Sequence, residues 1–126
     1  MHKVFRQHEG LDYDETFAPV ARLESIRMLL AYASCKGFKL FQMDVKSAFL
    51  NGFIEEEVYF HQPSGFIYPT FPNHVYKLNK ALYGLKQAPR VWYGRLSTFL
   101  IENGFSRGVN DTTLFTKTKD NELLLV

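Results

Sequence analysis

Asp44 is the residue of this 126-residue chain whose type and position first suggest chemistry. It follows Leu40, Phe41 and Met43 and precedes Val45, an apolar run that reads as a short half-buried strand. A carboxylate there costs free energy unless something pairs with it or coordinates it. Two readings follow: Asp44 bonds backbone N–H groups of the turn after it, or it holds a cation. Other polar groups carry less. Glu55, Glu56 and Glu57 are consecutive, so they point in different directions and read as a solvated face rather than a metal cradle. His2, His8, His61 and His74 show no ligand spacing, and no zinc site is expected. Cys35, the single cysteine, sits among Ala31, Ala33 and Ser34 in a helical pattern and is expected to be a small core residue.

The second feature is charge. The formal net charge is +2, but its distribution is uneven. Residues 1–57 carry seven Lys/Arg and nine Asp/Glu, whereas residues 58–101 hold Lys77, Lys80, Lys86, Arg90 and Arg95 with no acid. Tyr76, Tyr83, Trp92 and Tyr93 are interleaved with them. Basic groups neutralise phosphates and aromatic rings stack on bases or sugars, so the stretch suits a nucleic acid; an ordinary solvated face is the other reading.

These residues need elements to position them. Ile26, Leu29, Leu30 and Ala33 have the one-face spacing of a helix over 24–36, with Gly37 as its stop. After the Asp44 strand, residues 47–50 should form a short helical twist ended by Asn51-Gly52. Val58-Tyr59-Phe60 and Val75–Leu78 read as strands, separated by a loop rich in Pro and Gly. Pro89 suits the first turn of a second helix, with Trp92, Leu96, Phe99 and Leu100 on one face and Asn103-Gly104 at its end. Residues 114–117 and 122–126 read as a hairpin around Asp120-Asn121. Upstream, Val4 and Phe5 are candidate strand residues, His8-Glu9-Gly10 a turn, and 13–19 an extended loop.

Length allows one domain, able to bury about two-thirds of its unfolded surface. Hydrophobic residues are 46% and aromatics 16%, including 12 Phe and 7 Tyr, which argues for a packed core and against disorder. Apolar runs are only a few residues long and the N-terminus lacks a signal-peptide stretch; no membrane span and an intracellular location are expected.

Asp44-Val-Lys-Ser-Ala-Phe49-Leu-Asn-Gly52 resembles the first catalytic block of copia-type (Pseudoviridae) retrotransposon reverse transcriptases. Three further segments agree in order. Tyr13–Arg22 is similar to the family's ETFAPV signature, Glu57–Phe66 to its xVYMxQPxGF segment, and Leu78–Tyr93 to its LYGLKQAPRxWY block. The resemblance covers nearly the whole chain.

It implies an α+β fingers/palm fragment of a reverse transcriptase, with an antiparallel sheet bearing Asp44 packed on two main helices, over 1–126 as a partial domain. The implied activity is RNA-directed DNA synthesis by two-metal nucleotidyl transfer, with Asp44 as catalytic residue and Mg2+ ligand. Val45, Phe49, Tyr83, Gly84, Lys86, Gln87 and Pro89 would contact the incoming dNTP. Phe49 would crowd a ribose 2'-hydroxyl; a plain core Phe is the other reading. Lys77, Lys80 and Arg90 would contact an RNA or DNA template-primer. Tyr83 stands where retroviral enzymes carry Gln, which leaves its hydrogen bonding open. The family's Tyr-x-Asp-Asp pair and upstream fingers strands have no match, so the domain is expected to be cut at both ends, the rest of the Pol polyprotein to be its partner, and this chain alone to be inactive. By the same resemblance, Lys3 and Arg6 would at best be what remains of the upstream basic strand. The alternative is a non-catalytic relic of a decayed transposon, at most a weak nucleic-acid binder.

Overall fold

The computed structural model describes residues 7–10, 13–14, 16–17, 19–120 and 122–126. Lys3, Val4, Phe5 and Arg6 lie outside the described residues. The elements, in order, are helix α1 (Leu23–Lys36), a 3₁₀ turn (Ala48–Asn51), strands β1 (Phe53–His61) and β2 (Val75–Lys80), helix α2 (Ala88–Glu102), and strands β3 (Ser106–Arg107), β4 (Phe115–Lys119) and β5 (Glu122–Leu125). The chain divides into two compact units, one containing residues 47–95 and the described residues before 18, the other 19–46 and 96–126.

In the first unit, β1 and β2 pair antiparallel, with Val58 opposite Leu78 and Phe60 opposite Tyr76. Side chains alternate across a strand, so Val58 turns to the core while Glu57 and Tyr59 face water. The glutamates divide as expected: Glu55 and Glu57 are exposed, and Glu56 is half-buried on the opposite face. Val58, Ala81, Leu85 and Ala88 form the buried core, with Phe49, Ile54, Leu78, Leu82 and Val91 packed against it. Buried Gly52 is what lets the start of α2 come so close: a Cβ there would lie 2.5 Å from Val91 Cγ1. Its carbonyl accepts from the Ala81 N–H at 2.9 Å, closing the turn onto the end of β2.

In the second unit, α1 ends at Gly37, where the Phe38 N–H returns to the Ala33 carbonyl at 2.9 Å. Strands β3, β4 and β5 form an antiparallel sheet in that order, with Thr116 opposite Leu125 and Lys119 opposite Glu122. The expected hairpin is thus present, with Asp120 in its turn. The two-residue β3 has too few residues to show a sequence period.

The α+β class stands, with two α-helices and antiparallel sheets among the described residues. The expected sheet is instead two separate ones, of two and three strands, and neither carries Asp44. Residues 38–45 form no strand, and Met43 is 84% exposed. A strand is a pairing rather than a property of one segment, and no described residue bonds to this one as a ladder partner. Cys35 is exposed rather than core, because α1 buries only Ala33. Among the described residues no helix is long and apolar enough to cross a membrane.

Candidate functional site

The first unit gathers most of the residues singled out in the sequence. The 3₁₀ turn begins after Ser47, which adopts a left-handed conformation (φ 55°), and is tied by Asn51 Nδ2 donating to the Ser47 carbonyl at 3.2 Å. This places Phe49 half-buried against the core, its ring centroid 4.7 Å from that of Tyr83 at an interplanar angle of 47°. Tyr83 is exposed, so the pair presents an aromatic face to solvent.

Gly84, the next residue, has φ 98°, a left-handed conformation that any side chain would strain. A Cβ there would meet nothing within 4 Å. The glycine therefore serves the turn's dihedral angles. Leu85 folds back through its N–H to the Leu82 carbonyl at 3.3 Å, and the turn leads directly into α2, where Val91 N–H bonds the Gln87 carbonyl at 3.0 Å. Pro89 occupies the first turn of α2, where a missing N–H costs nothing.

Gln7, which no sequence pattern singled out, holds this turn from 80 positions away. Its Nε2 donates to Gln87 Oε1 at 3.0 Å, and its Oε1 accepts from the Lys86 N–H at 3.1 Å. Gln87 is fully buried, and its Nε2 has no partner among the described residues. The backbone of Lys86 is thus fixed while its side chain stays in water.

The basic residues are dispersed rather than clustered on one group. Lys77 forms an exposed ion pair with Glu57, which lowers the Glu57 pKa and raises that of Lys77, in each case first through the hydrogen bond. Lys80 lies over the Phe53 ring at 5.5 Å, and Arg90 is exposed on the first turn of α2.

Asp44 and Val45 belong to the second unit, on the exposed stretch between α1 and the 3₁₀ turn. No group of three or more His, Cys, Asp or Glu able to hold a metal forms among the described residues. Asp44, exposed on this stretch, presents one carboxylate to solvent.

The strongest carboxylate network of the unit is elsewhere. Asp111 accepts from Ser25 Oγ at 2.6 Å, Thr113 Oγ1 at 2.6 Å and the Thr113 N–H at 3.0 Å. These bonds, the Ser25 hydroxyl first, stabilise the ionised carboxylate and hold its pKa at about 2. The network joins α1 to the β3–β4 loop, a structural role.

The chain matches the family model described as reverse transcriptase (RNA-dependent DNA polymerase) over residues 1–126. It is 50% identical over 113 residues to a retrovirus-related Pol polyprotein from transposon RE1 of Arabidopsis thaliana, covering 90% of this chain and 8% of that protein. It is 41% identical over 126 residues to the retrovirus-related Pol polyprotein from transposon TNT 1-94 of Nicotiana tabacum, covering 98% of this chain and 10% of that one. A Saccharomyces cerevisiae Gag-Pol polyprotein of transposon Ty1-NL2 is 34% identical over 73 residues, 58% of this chain and 4% of that protein. The chain thus spans a tenth or less of these relatives. No solved structure matches significantly.

Proposed function

Because the chain belongs to the reverse transcriptase (RNA-dependent DNA polymerase) family, we propose that it is the fingers/palm portion of a copia-type Pol polyprotein that copies an RNA or DNA template into DNA. Its partners are the template-primer, the dNTPs and the remainder of the polyprotein. The observation that supports this most is the contact of Phe49 with Tyr83, since the turn after Asp44 and the turn before α2 converge on one solvent-facing aromatic pair.

Asp44 is one ligand of Mg2+, and the other carboxylates come from polypeptide outside these 126 residues. When bound, the metal neutralises triphosphate charge and activates the attacking hydroxyl. The residues of this chain position the nucleotide. Phe49 limits the space for a 2'-hydroxyl, with Tyr83 fixing the orientation of its ring. The Gly84 turn and Pro89 set the course of the backbone from β2 into α2, alongside Val45 and Lys86 as further dNTP contacts. Gln87 is buried, so its contact with a nucleotide requires Gln7 to let go first. Lys77, Lys80 and Arg90 meet template-primer phosphates, each exposed and so able to exchange its present neighbour for a phosphate at little cost.

Primer extension on an RNA template with Mg2+, comparing this chain with a form extended through the downstream codons, tests the reading. DNA synthesis by the extended form alone, lost on Asp44→Asn, is the expected result. An inert extended form overturns the assignment and leaves a non-catalytic relic, whereas an active Asp44→Asn variant overturns the role given to Asp44.

A further inference from the structure

The loop from Gln62 to Tyr76 takes no part in the chemistry above, yet a dedicated side chain holds its shape. Gln62 Nε2 donates to the carbonyls of Phe71 at 2.8 Å and His74 at 2.9 Å, and Gln62 Oε1 accepts from the Tyr68 N–H at 2.6 Å. Turns bonded from Phe66 to Pro63, Phe71 to Tyr68 and His74 to Phe71 complete the framework. The loop holds aromatic rings in place, but not in a core: Phe66, Tyr68, Phe71 and Tyr76 are 76%, 58%, 50% and 51% exposed. The Phe71 and His74 rings stack, with centroids 4.6 Å apart and planes 16° from parallel. Beside them opens a cleft of about 270 Å³, lined by Gln62, Tyr68, Phe71, His74, Val75 and Tyr76.

Preorganised aromatic faces left in water suit a ligand with planar rings of its own. Charge helps select its class: residues 62–76 contain no acid, and Lys77 follows Tyr76 directly. The Glu57 partner of Lys77 is exposed, and exposed ion pairs contribute little, so a phosphate can replace it. Planar rings on a polyanion describe a nucleic acid, and only an unpaired strand leaves the faces of its bases open to stacking.

We propose that the Gln62–Tyr76 loop is a stacking site for unpaired bases of single-stranded nucleic acid, with the Phe71–His74 pair as its platform and Lys77 as its phosphate contact. The site takes from the proposed function only the class of ligand, and it is separate from the Asp44 chemistry.

Fluorescence anisotropy with the full chain tests it, using a labelled oligo-dT of about 15 nucleotides, an abasic strand of equal length and a blunt duplex. The expected result is about tenfold tighter binding of oligo-dT than of the abasic strand, the size of one base stack. Phe71→Ala removes that preference and Phe71→Tyr keeps it, with circular dichroism verifying that each variant is folded. Phe99→Ala, an exposed aromatic change on α2, leaves the preference intact. Equal affinity for the dT and abasic strands, preference for the duplex, no binding, or an unchanged preference in both Phe71→Ala and Tyr68→Ala overturns the proposal. A loop that seats a protein segment instead gives that last pattern. DNA synthesis plays no part in the titration, so its outcome is independent of primer extension.

Discussion

Asp111 shows how a single side chain can tie a fold to pH. Its carboxyl sits at about 2 rather than the ordinary 3.8, since Ser25 and Thr113 both donate to the ionised form. A depressed pKa stabilises the folded state above the unfolded value and loses that contribution as pH falls through the folded one. Ser25→Ala is therefore expected to lower stability by a constant amount above about pH 4, with the difference from the parent chain shrinking toward pH 2. Urea melts at successive pH values measure it; a difference that grows in acid would contradict the assignment. Phe49 carries a residue-scale prediction of another kind. In the extended polymerase, Phe49→Val is expected to raise ribonucleotide incorporation relative to deoxynucleotide about tenfold or more, since the smaller side chain opens space beside Tyr83. Unchanged discrimination in single-nucleotide kinetics would return Phe49 to a purely packing role.

At the scale of elements, the junction of the 3₁₀ turn with α2 leaves no room for a side chain at Gly52. Gly52→Ala pushes a methyl group into Val91, and overpacking of this kind costs roughly 1–3 kcal/mol. Val91→Ala combined with Gly52→Ala should recover part of that loss, and a double-mutant cycle in chemical denaturation measures the coupling. Additive effects would show that the backbone shifts to absorb the methyl. Gly52 was legible in the sequence only as the end of a turn, because the atom that constrains it lies 39 positions away. The same distinction separates what could be read from what could not. The period of α1 with Gly37 after it, Pro89 at the head of α2, and the Asp120-Asn121 turn are local signals, and each element formed where its signal stood. The apolar stretch before Asp44 has an equally good local pattern but no ladder partner among the described residues, so the pattern alone made no strand. Gln7 and Gln62 act through amides on partners set by tertiary folding, and nothing about a glutamine in sequence marks it as a clamp. Of the candidate site, Phe49 and Tyr83 could be picked out through the motifs that resemble the family's, while their meeting could not.

For the whole molecule, the division into two units makes the energetics separable. The core of Val58, Ala81, Leu85 and Ala88 lies in one unit, and the Ser25–Asp111 tether with strands β3 to β5 lies in the other. Changes at sites that share no partners act nearly independently, and local opening follows such cooperative groups. Hydrogen exchange of the Gly52→Ala variant should thus accelerate the amides of β1 and β2 and leave those of β4 and β5 near parental rates. Ser25→Ala should do the reverse at neutral pH. Uniform acceleration of both sheets by either change would mean that the units open together, with α2, whose residues 88–95 belong to one unit and 96–102 to the other, coupling them. The outcome matters for function because Asp44 and the Phe49–Tyr83 pair belong to different units. If the two sheets open independently, the proposed joint role of Asp44 and Phe49 requires each unit to be folded in its own right, and destabilising either one is expected to impair it.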